Sequence, residues 1–171
     1  MDVPSILQIY APYVRDTSIT FELEVPSSEN LWRRMTAEPR LPWLVAETEQ
    51  GVVGYAYAYP HSDRPAYRWA VNCSVYVAPM HHGIGIGREM YHRLLEQLRE
   101  LGYVSAIARI TLPNSPSVRL HESMDFASVG VLQGVGFKGG RWHDVGLWAL
   151  RIAAYPERPR EPGTWKPGLR R

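Results

Sequence analysis

A glycine-rich segment that joins a β-rich stretch to an amphipathic stretch places the strongest constraint on the fold. Residues 75–82 read Val-Tyr-Val-Ala-Pro-Met-His-His, and residues 83–88 read Gly-Ile-Gly-Ile-Gly-Arg before an amphipathic run that ends near Leu101. This order predicts a strand, a turn at Pro79 and a helix that begins beside the glycines. The loop exposes backbone N–H groups at the positive end of a helix dipole, and its glycines let a ligand approach the backbone closely. The segment therefore predicts a site for a phosphate group.

The spacing of the glycines argues against two common phosphate-binding motifs. A dinucleotide fingerprint or a P-loop that starts at Gly83 requires glycine at position 88, where this chain has Arg88. The P-loop also requires a lysine and a hydroxyl residue, which positions 89 and 90 lack. Taken alone, the segment also fits an ordinary turn between a strand and a helix. The pattern that remains is His82-x-x-Gly85-x-Gly87.

Length and composition predict a single globular domain over residues 1–155. The chain has 171 residues, of which 45% are hydrophobic and 21% charged, as in soluble proteins. No apolar run is long enough to cross a bilayer, and the first residues lack the pattern of a signal peptide. Cys73 is the only cysteine, which excludes an internal disulfide. We therefore expect a cytoplasmic protein that has no membrane partner.

Residues 156–171 differ in composition from the rest of the chain. They contain four prolines, five basic residues and two acidic residues. Such a stretch is predicted to be an extended, flexible tail. Its charges are not interleaved with aromatic residues as in a nucleic-acid-binding segment, so we expect no nucleic-acid partner.

Hydrophobic periodicity predicts a mixed α/β fold in the order α-α-β-β-β-α-β-α-β-β, a sheet flanked by helices. A further stretch, Thr17 to Glu24, is β-prone. The strand from Val104 to Thr111 is predicted to be buried on both faces because its apolar residues do not alternate cleanly. The predicted helices are 4–14, 28–35, 86–101 and 115–124, and the predicted strands are 43–48, 52–59, 69–77, 104–111, 127–135 and 142–151.

A second motif makes the interpretation of the glycine loop more specific. Residues 114–121 read Asn-Ser-Pro-Ser-Val-Arg-Leu-His after a predicted strand, and they resemble the Asn-x-x-Ala/Ser-x-x-x-Tyr/His pattern of the GNAT superfamily of N-acetyltransferases. The loop His82-x-x-Gly85-x-Gly87 resembles the pyrophosphate loop of the same superfamily, Gln/Arg-x-x-Gly-x-Gly/Ala. Segments 9–10, 20–22, 53–57, 75–79, 136–138 and 142–145 further resemble the phosphinothricin and methionine sulfone (sulfoximine) N-acetyltransferase branch. The likeness covers residues 2–151.

The resemblance implies an activity, a fold and an assembly. The donor would be acetyl-CoA, and the acceptor the primary amine of a small amino-acid-like compound, with no metal. The sheet would be mostly antiparallel and splayed to admit the pantetheine arm, and the protein a homodimer. Acetylation of another amine, such as a peptide N-terminus or an antibiotic, and an idle acyl-CoA-binding protein remain alternatives. By position, the residues implied to bind the cofactor are Val75, Tyr76, Val77, His82, Gly83, Ile84, Gly85, Ile86, Gly87, Arg88, Asn114 and Ser117.

The catalytic groups are where this chain departs from the resemblance. The superfamily usually has a glutamate as general base at the position of Asn72, and an amide side chain cannot take up a proton. Asn72 could orient a water, another group could act (His121, Glu22 or His143), or the amine could arrive uncharged. His121 is the preferred candidate because it stands where the superfamily has an acid for the departing thiolate, and histidine titrates near neutral pH.

The acceptor site is implied by analogy alone. Arg68 could pair with an α-carboxylate, although an ordinary surface arginine is an equal alternative. Related proteins commonly begin with an additional strand, so the sheet could lack an edge strand here. The residues implied to contact the acceptor are Phe21, Glu22, Tyr67, Arg68 and His143.

Overall fold

The computed structural model describes residues 2–167, and its helices and strands follow the predicted order. The C-terminal end of the predicted tail, residues 168–171, lies outside the described residues. The helices are α1 (Val3–Asp16), α2 (Ser28–Thr36), α3 (Ile86–Glu100) and α4 (Ser115–Glu122). The strands are β1 (Trp43–Thr48), β2 (Gly51–Pro60), β3 (Ala70–Val77), β4 (Ser105–Leu112), β5 (Ala127–Lys138) and β6 (Arg141–Arg151).

Side chains next to the helices determine where three of them begin. Asp2, Ser27 and Asn114 each accept a hydrogen bond from a backbone N–H in the first turn of α1, α2 and α4. These oxygens satisfy N–H groups that have no partner inside the helix. α3 differs, because Gly85 precedes it and no side chain caps it. Its first N–H groups are therefore available to a ligand.

The six strands form one sheet in the order β1-β2-β3-β4-β6-β5. Every neighbouring pair is antiparallel except β3 and β4, which are parallel. The predicted mixed, mostly antiparallel sheet is confirmed. β3 pairs with β4 only at Ala70↔Ser105, Val71↔Ala106 and Asn72↔Ile107. Both strands continue well beyond these pairs, so the predicted splay is present.

The two faces of the sheet carry different helices because β2 alternates tyrosines with small residues. Gly54 lies against α3, where an added Cβ would be 3.2 Å from Sδ of Met90. The opposite face presents Tyr55, which meets the ring of Tyr10 on α1 edge-on at 6.5 Å. Small residues therefore let α3 pack closely, and aromatic residues fill the wider space beneath α1.

The prediction of β structure for Thr17 to Glu24 was wrong, because this segment is irregular. Its backbone is held by side chains rather than by a neighbouring strand. Nζ of Lys138 donates to the carbonyl oxygen of Thr20 at 2.8 Å, and the backbone N–H groups of Ile19 and Glu22 donate to the hydroxyls of Thr17 and Thr20. The Thr20 hydroxyl also lies 2.7 Å from the Tyr10 hydroxyl. These bonds replace the ladder that a strand requires.

The prediction that β4 is buried on both faces was also wrong. Ala106, Ala108 and Ile110 are buried on one face. On the other face Ile107 is only half-buried and Arg109 is exposed, although Thr111 is buried. This face is open because β3 and β4 separate beyond Ile107.

Part of the predicted tail lies against the domain. The indole N–H of Trp165 donates to Oε1 of Gln97 at 2.8 Å, and its backbone N–H donates to the carbonyl of Arg40 at 2.9 Å. The indole N–H of Trp69 donates to the Arg160 carbonyl at 2.7 Å. These contacts fix residues 160–165 at the surface, while the domain boundary at residue 155 stays a prediction. Within residues 2–167, no helix has both the length and the apolar character needed to span a bilayer.

Candidate functional site

The opening between β3 and β4 is the central feature of the site. Among residues 2–167, no strand pairs with the edge of β3 that faces β4 beyond Asn72. A cavity of about 50 Å³ lies here, between the two strands and the N-terminal end of α4. Backbone N–H and C=O groups on such an edge need a polar partner, which a ligand with amide groups can supply. The small cavity is lined by Ile19, Cys73, Ser74, Val75, Tyr76, Tyr91, Arg109, Ile110, Thr111, Asn114, Ser117 and His121.

The glycine loop stands at the outer end of β3. Gly83 (φ +78°) and Gly85 (φ +92°) adopt left-handed backbone conformations that are strained for other residues. No atom lies within 4 Å of a Cβ built on either glycine, so the loop is open to solvent. Ile84 and Arg88 are exposed on the same loop. The uncapped N-terminus of α3 therefore faces an open position that is suited to an anion.

His82 ties this loop to the end of β3. Its Nε2 lies 2.8 Å from the carbonyl oxygen of Val77 and 2.9 Å from the hydroxyl of Tyr13. The Tyr13 hydroxyl itself donates to the Val77 carbonyl at 2.6 Å. Because a carbonyl oxygen can only accept, Nε2 of His82 carries a proton and donates it there. His82 thus fixes the loop by its imidazole.

His121 lies at the inner end of the small cavity, with both ring nitrogens bonded. Its Nδ1 is 2.7 Å from the carbonyl of Ser117 and therefore donates. Its Nε2 is 2.9 Å from the hydroxyl of Tyr91. Only 5% of the residue is exposed, and burial lowers the pKa of His121 below its ordinary value of 6.5. The neutral ring therefore accepts a hydrogen bond from Tyr91 at Nε2.

Asn72 lies where the two strands begin to separate, but its amide is already engaged. The residue is 3% exposed and lines neither this cavity nor the larger one. Its Nδ2 donates to the carbonyl of Pro60 at 3.1 Å, which leaves Oδ1 to face Nδ1 of His61 at 3.3 Å. The amide oxygen accepts from that ring.

A larger cavity of about 710 Å³ opens on the tyrosine face of the sheet. Tyr10, Tyr57, Tyr59 and Tyr76 line it, and burial raises the pKa of each hydroxyl, that of Tyr10 to about 12. These phenols therefore stay neutral and act as hydrogen-bonding or packing groups. Its volume is in the range of cavities that bind small molecules.

Two of the residues predicted to contact an acceptor line this larger cavity. The guanidinium of Arg34 donates from two of its nitrogens to the carboxylate of Glu22, which forms an ion pair. Both Glu22 and Arg34 line the larger cavity. Phe21 packs over Gly136, where an added Cβ would lie 2.0 Å from its ring. The buried His143 supports this arrangement, because its ring is 6.0 Å from that of Phe21. The glycine is therefore required for the position of Phe21.

The other three predicted acceptor residues, Tyr67, Arg68 and His143, line neither cavity. Arg68 pairs with Glu161 of the tail and donates through Nε to the Pro65 carbonyl at 2.8 Å. Tyr67 packs against the ring of His61, with 5.5 Å between ring centroids. Neither Tyr67 nor Arg68 lines the small or the large cavity. The pairing of Arg68 across 93 residues cannot be read from the local sequence.

Sequence reasoning missed several residues that line the cavities. Tyr57 and Tyr59 line the larger cavity, and the alternation of tyrosines with small residues along β2 is the signal that could have found them. Arg109 was overlooked, and its signal was a charged residue inside an otherwise apolar strand. Tyr91 lies on the buried face of α3 and gave no signal of its contact with His121. Within residues 2–167, no group of three or more His, Cys, Asp or Glu side chains is placed to hold a metal ion.

Comparison with known proteins agrees with this geometry. Residues 4–126 match the acetyltransferase (GNAT) family. The chain is 40% identical to the phosphinothricin N-acetyltransferase of Streptomyces viridochromogenes over 169 residues, which covers 95% of this chain and 90% of the relative. It is 32% identical to the L-methionine sulfoximine/L-methionine sulfone acetyltransferase of Salmonella typhimurium, covering 88% and 90%. The crystal structure of a phosphinothricin acetyltransferase from Sinorhizobium meliloti in complex with AcCoA has a TM-score of 0.83 and 34% identity, covering 98% and 88%.

Proposed function

Because the chain belongs to the acetyltransferase (GNAT) family, we propose that it acetylates the primary amine of a small amino acid analogue with acetyl-CoA. The acceptor is of the phosphinothricin or methionine sulfone (sulfoximine) type, for which relatives that align with nearly the whole chain are named. The observation that carries the proposal is that the splayed strands open into a cavity large enough for such a compound. The two cavities meet, as expected where a donor and an acceptor must react.

The donor is held along the free edge of β3. Backbone groups of Val75 and Val77 point to the free edge and pair with the pantetheine amides, while Asn114 and Ser117 hold the arm near the thioester. The backbone of Tyr76 pairs with Tyr55 on β2 instead, so Tyr76 contributes only its side chain to the cavity wall. The Val77 carbonyl already accepts from Tyr13 and His82, so its N–H is the group left for the ligand. The diphosphate is bound by the loop residues Gly83, Ile84, Gly85, Ile86, Gly87 and Arg88.

The reaction proceeds by direct attack, without a covalent enzyme intermediate. The amine nitrogen forms a bond to the thioester carbon, and the bond from that carbon to sulfur breaks. The proton lost by nitrogen ends on the thiolate, so that the products are the N-acetyl compound and free CoA. Holding both reactants at the meeting point of the cavities supplies much of the acceleration. Backbone N–H groups on β3 stabilise the negative charge that develops on the carbonyl oxygen.

Proton transfer depends on the groups around the inner end of the cavity. Glu22 is paired with Arg34 and lines only the larger cavity, and His143 lines neither cavity, whereas His121 lines the small cavity between the strands. We infer that His121, neutral and bonded to Tyr91, takes up the proton and relays it to the thiolate. Asn72 does not titrate and lines neither cavity, so we assign it a positioning role through its bonds to Pro60 and His61.

The test is release of free thiol from acetyl-CoA over a panel of amines. L-phosphinothricin and L-methionine sulfone should give saturable turnover, whereas peptides and aminoglycosides should give little. Turnover that is greatest with a peptide N-terminus would replace the proposed acceptor class. Thermal stabilisation by CoA without thiol release for any amine would identify an idle acyl-CoA-binding protein instead.

We propose further that the protein is a cytoplasmic homodimer. The β5–β6 hairpin exposes apolar side chains at the edge of the sheet, which are Val129, Val131, Leu132, Val135, Phe137 and Trp142. Clustered exposed apolar residues indicate a protein–protein interface. Sedimentation should give twice the monomer mass, and Val131→Asp should reduce it to that of the monomer; a wild-type monomer at micromolar concentration would contradict the proposal.

A further inference from the structure

Arg109 occupies the point where the two cavities meet. It lies on β4, where pairing of its backbone with Leu147 on β6 fixes its position. Its side chain is on the open face of the strand and lines both cavities. Arg109 is the charged member of the set of residues that line both, the others being Ile19, Ser74, Tyr76 and Thr111.

The guanidinium of Arg109 has no partner among residues 2–167. It forms no hydrogen bond or ion pair with those residues. Burial raises the pKa of the Tyr59 hydroxyl, and the positive charge of Arg109 opposes this with a smaller, lowering effect. Arg34, which also lines the larger cavity, is neutralised by Glu22. The acidic residues Glu38 and Asp63 also line that cavity, but neither forms an ion pair with Arg109. The uncompensated cation at the junction therefore favours an anionic group from a ligand.

We propose that Arg109 binds the α-carboxylate of the acceptor and so places the α-amine against the thioester. This proposal rests on the function proposed above and names a residue that determines acceptor specificity. In an α-amino acid, a single carbon separates the amine from the carboxylate. A carboxylate held at the junction thus puts the attacking nitrogen within reach of the donor carbonyl.

The same charge has a second effect on the acceptor. A cation close to an ammonium group disfavours the protonated form, so more of the bound amine carries a free lone pair. This effect matters here because Asn72 stands in place of the expected carboxylate base. Arg109 therefore assists both the orientation and the deprotonation of the amine.

The experiment compares L-methionine sulfone with its α-carboxamide, which keeps the amine and removes the negative charge. We expect Arg109→Ala to lower kcat/KM for the free acid by about 30-fold or more, because a charge-assisted contact is lost. The same variant should change kcat/KM for the carboxamide by less than about threefold, a difference that a general structural defect would not produce. Arg109→Lys should recover part of the loss, since it restores the charge without the forked geometry.

Two controls separate the possible failures. Arg33→Ala removes an exposed arginine of α2 that lines neither cavity, and it should leave both acceptors unaffected. Stabilisation of Arg109→Ala by acetyl-CoA should equal that of the wild type. If Arg109→Ala lowered kcat/KM equally for the acid and the carboxamide, or lowered it for neither, the role of Arg109 would be overturned and the proposed function would stand. Absence of wild-type turnover with any α-amino acid would overturn the proposed function and this proposal together.

Discussion

At the scale of single residues, burial and hydrogen bonding set the chemistry of His121. A histidine in solution is partly protonated near pH 6.5, but this ring is buried between α3 and α4. Its pKa is lowered by that burial, while the Ser117 carbonyl opposes the effect by accepting from Nδ1. The neutral ring is thus suited to accept a proton during the reaction.

Replacing His121 by phenylalanine should lower kcat by about 10²-fold, a typical effect of losing an acid–base group. Acetyl-CoA affinity should fall by less than about threefold, because the ring lines the small cavity and not the glycine loop that is proposed to bind the diphosphate. Steady-state kinetics with calorimetry of CoA binding would measure both quantities. Turnover equal to that of the wild type would exclude His121 from the mechanism.

His121 should also make stability depend on pH. Because the native pKa is below that of the unfolded chain, the unfolded state binds more protons as pH falls below about 6.5. The free energy of unfolding should therefore decrease as pH falls from 7, by at most about 1.4 kcal/mol per pH unit for one group. Urea unfolding of His121→Gln should show a shallower dependence. The exposed His92 is the control, and His92→Gln should keep the wild-type slope.

At the scale of secondary-structure elements, the junction from β3 to α3 carries the proposed anion site. A proline ends the strand region, the glycines reverse the chain, and the helix starts without a side-chain cap. Leaving the helix end uncapped gives up a stabilising hydrogen bond, typically worth about 1 kcal/mol. Because no side chain of the described residues caps this end, the first N–H groups of α3 are open to a ligand.

Gly83→Ala tests this element, with Gly140→Ala in the β5–β6 turn as its matched control. Their φ angles are +78° and +76°, and neither has an atom within 4 Å of an added Cβ. Both variants should lose about 1–2 kcal/mol of stability from left-handed backbone strain. Only Gly83→Ala should weaken acetyl-CoA binding, by about fivefold or more, because the loop relaxes away from its bound shape. Equal acetyl-CoA dissociation constants for the two variants in calorimetry would argue against a diphosphate at this loop.

At the scale of the whole molecule, the C-terminal stretch connects regions that are distant in sequence. Trp165 bonds to α3 and to the segment before β1, and Glu161 pairs with Arg68. The Trp165 side chain also lines a groove beside β1, at the edge of the sheet. The composition of this stretch alone predicts a flexible tail, whereas these contacts join part of it to the domain.

Trp165→Ala should therefore lower the free energy of unfolding by about 1–2 kcal/mol, through lost apolar burial and one lost hydrogen bond. Its kcat/KM should stay within about twofold of the wild type, since Trp165 lines neither of the cavities assigned to donor and acceptor. Chemical unfolding and steady-state assays would measure the two effects. Unchanged stability would indicate that the contacts form only weakly in solution.

Local sequence patterns predict the order of the elements and the glycine loop, because periodicity and backbone preferences act over a few neighbouring residues. The resemblance to a family adds the splayed sheet. Which side chains meet is known only from the folded arrangement. Arg68 pairs with Glu161, Arg109 has no ion-pair partner among residues 2–167, and the Thr20 carbonyl accepts from Lys138 in a segment that does not form a strand. Each of these outcomes depends on contacts between residues far apart in the chain, and local pattern carries no information about such contacts.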